Sequence, residues 1–208
     1  MKLYSESFAH NHPMPDRTGF GIPHPESHMT LGQNLNPHLI WRELPSGSKT
    51  LVLLCNDPDV PSVKDNINKE GKIIPADMPR TNFCHWIMVD IAATDGEIAE
   101  GACSTQVTVG GKRNPPGPTG SLQGVNDFTR FMADNPDMKG EYFGWDGACP
   151  PWNDELVHKY EFILYATDLE HCPVKSSFSA DDVAAAISGH VLAEARLCGT
   201  YTLNPALR

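Results

Sequence analysis

Between Gly144 and Asp168 the chain passes from a stretch that cannot be regular structure into one that reads as a strand. Gly144, Gly147, Pro150 and Pro151 fall close together. Proline withdraws backbone donors and glycine opens positive φ, so this is a stiff corner rather than a helix or a ladder. From His158 the pattern alternates. His158, Tyr160, Phe162 and Leu164 share one parity; Lys159 and Glu161 take the other before Ile163 and Tyr165 turn it apolar. A rigid loop therefore feeds a strand whose first inward residue is a histidine. Titratable groups at loop–strand junctions are where binding sites are built.

The rest of the chain carries the same punctuation. Among 208 residues there are 18 prolines and 17 glycines, with short apolar runs between them, which favours a mainly β fold with many turns. The length suits one domain with a sizeable core. A net charge of −10 opposes nucleic acid, whose binders need a basic face, and opposes a polybasic membrane anchor. It leaves room for a small anion in a pocket of local positive potential. No apolar run is long enough to span a bilayer, and no charged start followed by an apolar segment marks a signal peptide. The expected location is the cytoplasm. Cys55, Cys84, Cys103, Cys149, Cys172 and Cys198 include no Cys-x-x-Cys and read as free thiols of a reducing compartment.

Residues 1–27, rich in His, Pro, Asn and Ser, read as an extended N-terminal arm. Some of His10, His12, His24 and His28 are close enough in sequence to bind a metal adventitiously, but no structured ligand spacing appears and they read as scattered surface histidines. Strands are expected at Met29 to Leu31, Leu39 to Leu44, Thr50 to Cys55, Cys84 to Ile91, Ala102 to Val109 and Leu197 to Leu203. The continuous run Thr50 to Cys55 has the signature of a central strand covered on both faces. It ends at Asn56-Asp57-Pro58-Asp59-Val60-Pro61, an acidic corner that is also ordinary turn chemistry. His85, Ile87, Val89 and Ile91 share one parity, opposite Trp86 and Met88. Ser62 to Asn82 is long for a loop and reads as a flap. Ser179 followed by acid in the first turn caps one amphipathic helix over roughly 180–195, with Val183, Ile187 and Val191 on its apolar stripe. There is no internal repeat.

Asp57, His85 and His158 each stand at a strand junction, and Tyr160 shares the face of His158. Together with backbone N–H groups from Gly147 to Pro151 they suit a small anion such as phosphate, acetate or a phosphorylated head group. Other readings remain open. Two histidines and a carboxylate also make a non-haem metal set, which would support a hydrolase, although no His-x-His spacing accompanies them. Cys149 with His158 as base would be a nucleophile, although no helix N-terminus lowers its pKa. Trp145 and Trp152 in the loop would anchor a protein partner. Exposed sheet edges permit a homodimer, although no residue demands it.

Asp57-Pro58-Asp59-Val60-Pro61-Ser62, Phe83-Cys84-His85-Trp86-Ile87, and Gly147-Ala148-Cys149-Pro150-Pro151 leading to His158-Lys159-Tyr160 resemble the conserved blocks of the phosphatidylethanolamine-binding proteins. The tail from His190 to Tyr201 resembles the bacterial and archaeal subgroup called Raf kinase inhibitor-like. The resemblance spans roughly Met29 to Tyr201. It implies two antiparallel sheets with Greek-key connections, a C-terminal helix and an anion pocket at the strand ends. It places Asp57, His85, Cys149, Pro150, His158 and Tyr160 on pocket-lining positions and Val60, Pro61 and Gly147 on the rim. It implies no enzyme activity, no cofactor and no metal. The expected partner is a small anion or phosphorylated head group; the alternative is a kinase-modulating interaction module. Two departures stand out: Ala148 where the family usually has Pro, and an acidic Trp152-Asn-Asp-Glu155 where it usually has a Lys-Gly turn.

Overall fold

The run beginning at Thr50 lies at the centre of the largest sheet. The computed structural model describes all residues 1–208. Its strands are β1 (Lys2–Tyr4), β2 (His12–Pro13), β3 (Gly21–His24), β4 (His28–Leu31), β5 (Leu39–Arg42), β6 (Thr50–Pro61), β7 (Arg80–Ala92), β8 (Gly96–Ile98), β9 (Leu122–Gln123), β10 (His158–Thr167) and β11 (Val191–Tyr201). Two short helices, α1 (Phe128–Phe131) and α2 (Ala180–Ala186), complete the set with two 3-10 turns. One sheet has the order β2-β11-β10-β6-β7-β9; a second is β1-β5-β8; β3 and β4 form a separate hairpin. The architecture is mainly β, as expected, with one pairing, β2 on β11, that is parallel.

The alternation of β6 explains the layers. Leu51, Leu53 and Cys55 point to one side and join Trp86, Met88, Phe162 and Leu164, together with Leu3, Leu39, Trp41 and Ile98 from the smaller sheet. Val52 and Leu54 point to the other side, where Ile87, Val89, Phe178, Val183 and Ile187 cover them. Both faces of the central strand are buried, which is why its sequence is apolar without interruption. No helix of the chain is long and apolar enough to cross a membrane.

Several local readings are revised. β6 does not stop at the acidic corner but continues to Pro61, with register shifts between Cys55 and Asn56 and between Asp57 and Val60. Ile91 does not share the face of Ile87 and Val89; Asp90 has φ 56°, which turns the strand over and delivers Ile91 to the opposite core. Ala102 to Val109 forms no strand. The Cys103 and Ser104 amides donate to the Asn36 side chain, so a buried amide takes the place of a ladder partner. The helix is shorter than its periodicity suggests. The capping box of Ser179 and Asp182 starts it as expected, but Gly189 at φ 81° ends the run and β11 takes up Val191 onward. Pairing with β10 along the length of β11 outweighs the weak propensity of two further helical turns. Residues 1–27 contribute β1, β2 and β3, and Leu3, Phe8, Met14 and Phe20 are buried.

The long connection after β6 is tied down from across the cleft. The Asn153 side-chain amide donates to the carbonyls of Asn66 (2.8 Å) and Lys72 (3.0 Å), and its oxygen accepts the Asn68 N–H at 3.0 Å. Asn68 returns the contact by accepting the Trp152 N–H at 3.0 Å. Asn153→Ala is expected to cost about 2 kcal/mol of local stability, since these bonds are mostly shielded from water. Trypsin should then cut at Lys64, Lys69 or Lys72 roughly thirtyfold faster while the global melting midpoint moves little. An unchanged cleavage rate would show that the loop is held by something other than Asn153.

Candidate functional site

The corner 144–151 is anchored from below. Trp145 is fully buried, stacked on Phe162 at 5.7 Å and edge-on to Trp86 at 5.7 Å. It is therefore a core residue and not the exposed anchor expected from its loop position. Trp152 is partly covered, its ring stacked on His28 at 4.0 Å. The neighbouring Asp146 is fully buried and holds the loop in place. Its carboxylate accepts from Asn34 (2.8 Å), Lys112 (2.6 Å) and Asn126 (2.9 Å). Gly147 passes so close to the Thr18 carbonyl that a Cβ would collide with it. Its N–H is taken by the Asn34 side chain at 2.8 Å. The expected row of free amide donors is thus reduced: Gly147 is committed and Pro150 and Pro151 have none, which leaves the amides of Ala148, itself buried, and Cys149, at the wall, without a protein acceptor. Ala148, where the family usually has Pro, is buried and its carbonyl accepts from both Phe20 and Gly21.

This corner closes one side of a cavity of about 140 Å³. Asp57, Val60, Pro61, His85, Cys149, Pro150, His158 and Tyr160 all line it. Gly147 alone of the expected residues does not; it acts beneath the wall. Residues that sequence reasoning missed complete it: Phe20, Phe83, Phe128 and Phe131 form an aromatic side, and Ile67 and Asn68 bring the long loop over the opening. Phe83 lies in one of the family blocks and Ile67 and Asn68 in the stretch read as a flap, but no local pattern marks Phe20, Phe128 or Phe131 as lining.

His85 reaches the cavity through an irregularity. Cys55 pairs with Trp86 but Asn56 pairs with Cys84, so His85 is the extra residue of a bulge and is re-aimed. It therefore lies within the strand, not at its start as expected. Its ring sits 5.1 Å from that of Tyr160 and 4.7 Å from that of Phe83. Nδ1–H donates to the Asp146 carbonyl at 2.8 Å. That bond assigns the tautomer and leaves Nε2 as an acceptor, which finds no partner in the protein. Burial pulls the His85 pKa down against the raising influence of Asp57, so the ring is neutral. The buried Tyr160 hydroxyl lies close to Asp57 but makes no well-aligned hydrogen bond with it or with any other group. Burial, and then the Asp57 charge, push its pKa well above the ordinary phenol value.

His158 has a different role from the one expected. Nδ1–H donates to Asp57 at 2.7 Å and Nε2–H donates to Asp154 at 3.1 Å. Both ring nitrogens face carboxylates, so the side chain is an imidazolium. Burial lowers its pKa, but Asp57 and Asp154 overcome that and raise it to about 9. Asp154 is held in turn by Arg80 through a bidentate pair at 2.6 and 3.1 Å. Arg80 spends its remaining donors on the carbonyls of Asp59, Pro75 and Met78. Burial raises the Asp154 pKa, but its bonds to His158 and Arg80 hold it below the usual carboxylate range. The acidic departure at Asn153-Asp154 is thus the support of the site. His158 has no lone pair to offer a metal or to act as a base. Asp57 serves the turn and the wall at once: one oxygen accepts the Asp59 N–H at 2.8 Å, and the other pairs with His158. Cys149, partly covered, has its thiol pushed up to about 12 by burial and is not a nucleophile at neutral pH.

The chain is a mainly β protein with a small, partly aromatic cavity at the ends of its central strands. Among solved structures the chain is similar to E. coli YbcL, described as a member of the mammalian PEBP family, with a TM-score of 0.69, 25% identity and 97% of each chain covered. The fold is shared with a PEBP homologue from Chlamydia trachomatis, CT736, at a TM-score of 0.65 and 24% identity, covering 96% of this chain and 95% of that one. A UPF0098 protein of Methanothermobacter thermautotrophicus is 32% identical over 85% of this chain and 89% of its own length. UPF0098 protein YbhB of E. coli is 27% identical over 97% of this chain and its full length. The family model for phosphatidylethanolamine-binding protein matches residues 4–202, and the chain belongs to that family.

Proposed function

We propose that this chain binds, without chemical turnover, a small oxyanion of the phosphate class, free or as a phosphorylated head group. Asp57, His85, Cys149, Pro150 and Tyr160 surround it, with Val60 and Pro61 at the rim and His158 and Gly147 positioning the wall. One observation carries the reading: His85 Nε2 and the Tyr160 hydroxyl are buried and unpartnered, and both belong to residues that line the same cavity. An unsatisfied buried polar group costs about 1–3 kcal/mol, so two in one cavity mark a place completed by a ligand. The family name refers to a phosphate-bearing lipid, which agrees with the chemistry. A binding rather than catalytic role is supported by the wall's reactive groups: a thiol pushed up to about 12 and a doubly bonded imidazolium.

The test is titration of inorganic phosphate followed by histidine NMR. The His85 ring resonances are expected to shift saturably, and Tyr160→Phe is expected to weaken binding about tenfold without lowering the melting temperature. His85 resonances that stay unmoved at high phosphate would remove the proposal.

A further inference from the structure

The cavity has an unusual balance for an anion site: the cations built into its wall are already spent, and Lys64, whose Nζ lies 5.1 Å over the Phe131 ring, is outside its lining. The His158 imidazolium lies between Asp57 and Asp154, and each Arg80 N–H group is engaged by Asp154 or a carbonyl. What faces the ligand instead is a row of acceptors. Each Asp57 oxygen already takes one N–H, as an ionised carboxylate does, and keeps a lone pair over. His85 presents a bare Nε2 because its other nitrogen donates to Asp146. The uncharged donors are the Tyr160 hydroxyl, the Cys149 amide and the Asn68 side-chain amide, whose oxygen alone is used by Trp152.

Building on the anion reading, we infer that the cavity selects an oxyanion that carries its own ionisable O–H, a phosphomonoester monoanion, and rejects a fully deprotonated one such as sulfate. The ligand's O–H donates to Asp57 or to His85 Nε2; its remaining oxygens accept from Tyr160, Cys149 and Asn68. A fully deprotonated oxyanion sets lone pair against lone pair at Asp57 and leaves His85 unsatisfied. Protonating His85 instead is opposed by its burial, although the acidic groups around it favour the charge. Tyr160 and Asp57 face it from β10 and β6, the Asp146 carbonyl from the corner, and Asp127 from the turn before α1. The Asp146 carboxylate is neutralised by Lys112, and Asp127 is engaged by the Cys84 N–H and by Arg130, which blunts their pull on the ring. Burial therefore prevails and the ring stays an acceptor.

The experiment is calorimetric titration of the wild-type chain with methyl phosphate and, separately, with sulfate, from about pH 5.5 to about pH 8, spanning the second ionisation of a phosphomonoester near pH 6. Methyl phosphate is expected to bind with constant affinity below its own ionisation and to weaken about tenfold for each pH unit above it. Sulfate is expected to bind at least about tenfold more weakly than methyl phosphate at the acid end, having lost a charge-assisted hydrogen bond. In Asp57→Asn the preference should collapse; should that variant not fold, the wild-type profiles decide. Equal binding of both anions, or a methyl phosphate affinity that does not fall with pH, overturns the selection and leaves the anion site standing. Binding of neither overturns both.

Discussion

Asp154→Ala is expected to lower the unfolding free energy by about 3–5 kcal/mol, far beyond the effect of an ordinary surface acid. Asp154 is buried and joins two cations, Arg80 at 2.6 Å and His158 at 3.1 Å. Removing it strands both: Arg80 keeps its carbonyls but loses its only counter-charge, and His158 is left with Asp57 alone. Taking one partner from a buried pair costs more than the pair itself contributes, because the remaining charge has no water to turn to. Urea denaturation near neutral pH checks this, with the midpoint moving and the slope staying the same. A loss below about 1 kcal/mol would place the bridge among exposed pairs that contribute little. The same variant should reduce oxyanion affinity, since the Asp57–His158 wall would be free to shift.

Stability is expected to fall by roughly 3 kcal/mol as pH rises from neutral to beyond the titration of His158. The sign follows from the direction of the shift. Burial opposes the charge, but Asp57 and Asp154 raise the folded-state pKa to about 9, above the ordinary imidazole value near 6.5. The folded state holds the proton more tightly than the unfolded chain does. Its contribution is fully present below about pH 6.5 and is lost as pH climbs through about 9. Asp154 works in the opposite sense: its lowered pKa contributes stability above the ordinary carboxylate value that disappears as acid protonates it. A plateau between these limits is expected in thermal melts across pH. The alkaline fall should be smaller in Asp154→Ala, where one of the two carboxylates that raise His158 is gone. An alkaline limb identical in both chains would mean that His158 is not the group responsible.

The family blocks were legible because each is local. Asp57, His85, Cys149, Pro150, His158 and Tyr160 were picked out from short runs, and all six line one cavity. The reason for a residue's presence was less legible than the presence itself. His158 was expected to hold the anion, yet both its nitrogens are used within the protein. Its second partner, Asp154, lies in a turn whose acidity looked like a departure from the family. Trp145 was expected on the surface because loops usually are, but this loop folds back over the core.

What the sequence by itself determined is whatever depends on near neighbours. That covers the buried central strand from its unbroken apolar run, the stiff corner from its prolines and glycines, the Ser179 cap, and the short motifs that mark the pocket. Tertiary structure alone decided the quantities that depend on pairing partners far along the chain. The bulge that turns His85 into the cavity exists only against β6. The early end of α2 arises because β11 gains more from β10 than from further helical turns. The charge states of His85 and His158 diverge because one ring meets a carbonyl and an empty acceptor position while the other meets two carboxylates. Two histidines of equal appearance in the sequence thus become an uncharged acceptor and a fixed cation, because local desolvation and the nearest charges set a pKa, and only the fold brings those charges near.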